Sequence, residues 1–289
     1  MSLANVDHRL EDFRRLPPGE LAAARRDVRV LVLTGLGLNC EVETAEAFAR
    51  AGATAEMVHL IDLVEGRRRF TGFRIVAFVG GFAFGDHLGA GFVFANKIRW
   101  CLYDQVVEWI ETGGLALGIC NGFQMMSRLG MLPGLNGDYR TQRVTLAPND
   151  RLGYWNAWVR LAADPDSPCL WTRGIERIEL PSRHGEGKLL PADEAVAERL
   201  RSEHLVSLRY VDPHGRPTEE WPANPSGSPG GVAGLCDPSG RLFGLMPHPD
   251  AFLYDFQHPA WYRKRPQGAT EGAGMAIFRN GVDAAAAGL

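Results

Sequence analysis

The sequence predicts an α/β fold: an open, mostly parallel sheet flanked by helices on both faces, continuing into a β-rich second half. Three observations carry this. Short apolar, β-branched runs recur between residues 28 and 120, as strands buried on both faces require. Segments with apolar residues at helical spacing lie between them, and strands that alternate with helices form a parallel sheet. Beyond residue 140 the pattern changes to short strand-like runs divided by Pro and Gly turns.

Residues 1–27 are charged, contain Pro17-Pro18, and read as an N-terminal extension outside the main fold; Leu10 and Phe13 give it a small apolar face on a short helix. The single domain proper spans residues 28–289. VRVLVLT (28–34) is the first strand. Val42, Ala45, Phe48 and Ala49 sit at helical spacing, with Gly52 as the stop. TAEMVHL (54–60) and RIVAFVGG (74–81) are the next two strands. Phe92 to Glu111 reads as one long helical pattern ended by Gly113-Gly114. LALGIC (115–120) is a strand and NGFQMMSRLGML (121–132) a helix. RVTLAP, NAWVRLAA, RIELPSR, LVSLRYVD, GVAGLCD and RLFGLMP follow as strand-like runs. The last two, either side of Asp237–Gly240, read as a hairpin that feeds a central strand, and residues 274–287 close the chain as a helix. No internal repeat is visible.

Composition excludes several classes. Over 289 residues, 31 Lys+Arg against 34 Asp+Glu leave a net charge of −3, without the basic excess of a nucleic-acid binder. Hydrophobic residues at 45% and charged residues at 22% are ordinary globular usage, not that of a disordered chain. No apolar run reaches the roughly 18 residues of a membrane helix, and the first 20 residues lack the apolar core of a secretory signal. Five scattered cysteines without a CxxC argue against a disulfide framework or a structural zinc site, and favour a reducing cytoplasm.

The sharpest local feature is Gly118-Ile119-Cys120-Asn121-Gly122. An apolar strand runs into a reactive side chain flanked by glycines at ±2, and a helix follows. This is the setting of a nucleophile elbow with Cys in place of Ser, and a thiol at a helix start meets the positive end of the dipole, which favours the thiolate. A cysteine nucleophile wants a base. Of eight histidines, His248 has the best setting, held in Met246-Pro247-His248-Pro249-Asp250 at the end of a strand-like run. In an extended segment Asp250 lies on the same side and orients the imidazole. Strand ends of one sheet converge at one edge, so the 128 residues between Cys120 and His248 are no obstacle. Gly80-Gly81-Phe82 ends another strand at that edge; a backbone N–H there and that of Asn121 suit an oxyanion hole, although spacing alone fits a plain tight turn equally well. Thr34-Gly35-Leu36-Gly37-Leu38-Asn39-Cys40 imitates a dinucleotide loop, but its third glycine is replaced by Cys40, and no Walker-type ATP loop is present.

Together these residues resemble the class I (triad) glutamine amidotransferases, whose elbow reads G-x-C-x-G, often with Gln four after the Cys, as Gln124 is here. More narrowly, Gly80-Gly81-Phe82-Ala83-Phe84-Gly85-Asp86, His184-Gly185-Glu186-Gly187 and Asn224-Pro225-Ser226-Gly227-Ser228 are similar to segments of the glutaminase components of phosphoribosylformylglycinamidine synthase. The resemblance covers residues 28–289 and implies a flavodoxin-like sandwich. It implies that Cys120 attacks the glutamine side-chain amide, that His248 carries the proton, that Gly81 and Asn121 stabilise the oxyanion, and that Gln124 lies near the substrate. His184 and Glu186 belong to a family motif without an assigned role. Where the family usually has Glu two residues after the histidine, this chain has Asp250. The resemblance further implies L-glutamine as substrate, an ATP-dependent synthetase subunit as partner with ATP and Mg used there and no cofactor in this chain, and a small accessory subunit in some complexes. Nucleic acid and membrane are not expected partners. The rival readings are a triad amidotransferase with another acceptor, a cysteine hydrolase without an ammonia partner, and a catalytically silent subunit.

Overall fold

The structure is a computed structural model that describes residues 3–264 and 271–289. Its strands are β1 (Arg29–Thr34), β2 (Thr54–His59), β3 (Ile75–Phe78), β4 (Leu115–Ile119), β5 (Val144–Pro148), β6 (Trp155–Ala163), β7 (Arg177–His184), β8 (Glu186–Pro191), β9 (Leu208–Tyr210), β10 (Val232–Cys236) and β11 (Leu242–Leu245). Its α-helices are α1 (Leu3–Arg14), α2 (Pro18–Arg26), α3 (Glu41–Arg50), α4 (Leu60–Val64), α5 (Phe92–Cys101), α6 (Tyr103–Glu111), α7 (Asn121–Leu129), α8 (Glu194–Ser202), α9 (Trp261–Lys264) and α10 (Met275–Ala286).

Nine strands form one sheet in the order β2-β1-β3-β4-β11-β10-β9-β6-β7, and β5 pairs with β8 in a separate two-stranded sheet. The first five strands of that order are parallel and the rest antiparallel. Every residue of β3, β4 and β11 is buried. This is why these strands read as unbroken apolar runs rather than as alternating ones. The hairpin β10–β11 does feed the centre: β11 lies parallel to β4, with Gly118 opposite Gly244 and Ile119 opposite Leu245. Helix α7 packs on β3, β4 and β11 with α5 beside it, while α10 contacts β3 and α3.

Two expectations change. The pattern from Phe92 to Glu111 is two helices, α5 and α6, broken at Leu102, whose φ of −137° is not helical; the break lets Leu102 and Tyr103 both turn inward. Residues 3–26 are also two helices. Val6, Leu10 and Phe13 are buried, and Arg14 and Arg25 each reach a carboxylate oxygen of Asp283 in α10 at 2.8 Å. No helix among the described residues is long and apolar enough to cross a membrane.

Candidate active site

Four parallel strands deliver the site. The segments that leave β1, β3, β4 and β11 at their carboxyl ends carry Cys40, Gly80-Gly81, Cys120 and His248, the edge where ligands of such sheets gather. Cys120 is the residue between β4 and α7. Its φ of 52° and ψ of −106° lie outside the regions that side-chain-bearing residues normally occupy, the strain expected of a nucleophile elbow. Its N–H donates to the Leu245 carbonyl at 2.8 Å, which ties the elbow to β11. The flanking glycines are required by contact. A side chain on Gly118 would meet the Met126 sulfur, and one on Gly122 would overlap the Phe78 carbonyl, so α7 can lie this close to β3 and β4 only with glycine at both places.

His248 is buried. It begins a short 3₁₀ turn (Pro249–Ala251) instead of continuing an extended segment, and the turn brings Asp250 Oδ1 to 3.2 Å from its Nδ1. Both residues are almost wholly enclosed. The backbone N–H of His248 donates to Pro181 O at 2.7 Å, and its Nε2 has no hydrogen-bond partner among the described residues. Burial opposes a charge on the imidazole, but the carboxylate of Asp250 and the sulfur of Cys120 outweigh it, and together they raise its pKa well above the ordinary histidine range. The thiol itself lies 3.5 Å from the carbonyl of Arg183.

Gly81 has φ +141°, and a side chain there would strike Leu38 Cα at 2.7 Å. The carbonyl of Gly80 accepts from the N–H groups of Asn39 and Cys40, both at 3.3 Å. In a trans peptide the N–H points opposite to the C=O, so the Gly81 N–H is turned away from that loop. The Asn121 N–H is the first of α7 and has no acceptor within its helix. The loop at 35–40, which imitates a dinucleotide motif, therefore serves as the support of the Gly80-Gly81 turn. Phe82 N and Phe84 N donate back to Gly37 O and Leu36 O at 2.7 and 2.9 Å.

The remaining motif residues brace the site. Gln124 is buried with both ends of its amide engaged: Nε2 donates to Glu186 O at 2.6 Å and Oε1 accepts from Asn121 Nδ2 at 3.0 Å. Asn121 Nδ2 also donates to Asp86 Oδ1 at 3.0 Å. Glu186 Oε2 accepts from Ala90 N at 3.2 Å. His184 is fully enclosed, with Nδ1 3.1 Å from Asn149 Oδ1, and burial together with the charge of His248 lowers its pKa to about 3. Ser228 Oγ donates to Gly187 O at 3.2 Å, so the Asn224–Ser228 turn holds β8 beneath His184.

Three neighbours receive no role from a reading of the sequence. Cys40 approaches His248 across Gly80, Asp86 anchors the turn at 85–91 by accepting from Gly91 N at 3.3 Å, and the Tyr154 ring packs against Phe82, tilted by 41° at 5.9 Å, with its pKa raised by burial and by Cys120. Each lies far in sequence from Cys120; Asp86 and Cys40 belong to segments that the motifs single out, but neither receives a role at the site from them, and Tyr154 belongs to none.

Known proteins resemble this chain in sequence and fold. A family model described as the CobB/CobQ-like glutamine amidotransferase domain matches residues 27–283. The phosphoribosylformylglycinamidine synthase subunit PurQ of Dehalococcoides mccartyi is 43% identical over 255 residues, which is 88% of this chain and 96% of that protein. The subunit of the same name from Methanococcus maripaludis is 39% identical over 264 residues, again 88% and 96%. Among solved structures, a chain of PurLQS from Thermotoga maritima superposes with a TM-score of 0.65 at 25% identity, covering 88% of this chain and 97% of that one. The chain belongs to the CobB/CobQ-like glutamine amidotransferase domain family, and within it to the PurQ subunits of phosphoribosylformylglycinamidine synthase.

Proposed function

We infer that this chain is the glutaminase component of phosphoribosylformylglycinamidine synthase. It hydrolyses L-glutamine to glutamate and delivers the ammonia to an ATP-dependent synthetase subunit in de novo purine biosynthesis. The observation that carries the mechanism is the elbow thiol of Cys120 beside a buried His248 whose charge Asp250 supports.

Cys120 attacks the amide carbon of the glutamine side chain as a thiolate, with the imidazolium of His248 as its counter-ion. The carbonyl oxygen gains the negative charge, and the N–H groups of Gly81 and Asn121 receive it. Such donors contribute through preorganisation, roughly 10²–10³ in rate for each one. Collapse of the intermediate expels ammonia with a proton from His248 and leaves a thioester on Cys120. His248 then takes a proton from water, the resulting hydroxide attacks the thioester, and glutamate leaves with its carboxyl proton lost to solvent as the thiolate–imidazolium pair is restored. Gln124 acts through Asn121 and the Glu186 carbonyl, which it holds in place. ATP and magnesium belong to the synthetase, a small accessory subunit completes some complexes, and the reaction takes place in the cytoplasm.

The test is glutamate release from glutamine by the chain alone, and then with the synthetase of the same organism, ATP and formylglycinamide ribonucleotide. Strong stimulation by the full mixture is expected. Cys120→Ala should abolish glutamine use while ammonia-dependent synthesis by the partner survives. Release that ignores the mixture would point to a free-standing hydrolase.

A further inference from the structure

His248 has thiols on two sides, and the mechanism uses one of them. The other is Cys40, buried at the start of α3. Among the described residues, Cys40 Sγ, a ring nitrogen of His248 and a carboxylate oxygen of Asp250 all lie within 4.8 Å of one another. A side chain on Gly80 would sit 2.8 Å from His248 Cε1 and 3.1 Å from Cys40 Sγ, so both groups converge over that glycine. Tetrahedral zinc with its usual bond lengths holds S, N and O donors roughly 3.3–3.8 Å apart. The Nδ1–Oδ1 pair is already at 3.2 Å, and the Cys40 sulfur lies no more than 4.8 Å from either residue's ligand atom.

We propose that Cys40, His248 and Asp250 form a site for a thiophilic divalent cation such as Zn²⁺, and that the bound cation silences the glutaminase. Charge supports the assignment. One thiolate and one carboxylate neutralise a divalent ion, and a neutral cluster is what a buried site tolerates. Three protein ligands leave a fourth position open, as in zinc sites that are not purely structural. Binding releases the proton of the Cys40 thiol, and a second proton where His248 is charged; the lone pairs of S, N and O form the new bonds, and no redox change occurs. Burial pushes the Cys40 thiol up although its hydrogen bond with His248 opposes this, so the metal-free residue is a protonated thiol and not a rival nucleophile. A cation on Nδ1 displaces the hydrogen bond with Asp250, and one on Nε2 covers the unpartnered nitrogen. In either case one ring nitrogen is taken by the cation, and His248 can no longer gain and give up the proton that the reaction moves.

The binding half of this inference is independent of the glutaminase reading, and the silencing half rests on it. The full chain carrying Cys101→Ser and Cys120→Ala is titrated with Co²⁺, a spectroscopic stand-in for Zn²⁺. One equivalent should produce a thiolate-to-cobalt absorption band, and adding Cys40→Ser should weaken binding at least tenfold. No band, or a band indifferent to Cys40→Ser, overturns the site. Should the Cys40→Ser chain fail to fold, the parent chain is alkylated at Cys40 with and without Zn²⁺: tenfold protection supports the site, and unchanged labelling overturns it. In the coupled assay, Zn²⁺ should inhibit the unmodified chain, EDTA should restore it, and Cys40→Ser should raise the inhibitory concentration at least tenfold. Binding without inhibition overturns the silencing half. A metal-free chain without glutaminase activity counts against the functional reading, and the cobalt titration still decides the site.

Discussion

His184 and His248 are both enclosed within the β-rich wall of the site, yet one is neutral and the other charged. Burial keeps His184 neutral with a pKa near 3, while Asp250 and Cys120 keep His248 charged. The unfolded chain binds a proton at His184 below the ordinary histidine range, and the folded chain does not until about pH 3. Stability is therefore fully present above pH ~6.5 and is lost as pH falls towards 3, with a limiting slope of about 1.4 kcal/mol per unit. Urea titrations at pH 4–7 should show this slope, and His184→Gln should flatten it. At His248 the sign is reversed. Its raised pKa depends on the carboxylate, so Asp250→Asn should lower kcat by roughly 10²–10⁴ and move the alkaline limb of the kcat/KM profile to lower pH. A profile that stays in place would remove Asp250 from the charge network.

At the scale of elements, the site depends on how closely loops approach one another. Gly81→Ala puts a Cβ against Leu38 and demands a left-handed φ from alanine. It should cost roughly 10²–10³ in kcat with little change in KM, since only the oxyanion donor moves. A change confined to KM would place Gly81 in glutamine binding instead. The central elements were legible because fully buried strands leave a distinctive apolar run, and Cys120 was legible because an elbow needs glycines at fixed offsets. Helix α8 was not read, although Asp193 caps it through Val196 N at 2.8 Å, because it is short and buries only Val196 and Leu200. Strand β8 was hidden by Gly187, where His184 leaves no room for a side chain. The 35–40 loop was legible as a glycine turn, but its partner, Gly80-Gly81, lies on another strand end, and no local pattern reports such a pairing.

For the whole molecule, residues 3–26 are tied to the end of the chain by a buried carboxylate that two arginines share, with Arg14 also donating to Asn280 Oδ1 at 2.7 Å and Arg9 to Ala287 O at 2.6 Å. Asp283 is enclosed, whereas Arg14 and Arg25 remain partly open to water. Removing the acid frees two cations that can still be hydrated; removing the cations strands an anion. Arg14→Ala/Arg25→Ala should therefore destabilise by about 3–5 kcal/mol, and Asp283→Ala by distinctly less, in urea unfolding at neutral pH. Equal losses would mean that the charge of Asp283 does not decide how α1 and α2 are held. The placement of β11 beside β4 has one more consequence, which concerns synthesis. The nucleophile leaves the ribosome 128 residues before its base, and the strand that carries the base can pair only after that long loop has closed. A nascent chain that already displays the elbow is thus a thiol without a proton acceptor. Reactivity appears only when the β10–β11 hairpin inserts, so half-made chains are spared from attacking the electrophiles around them.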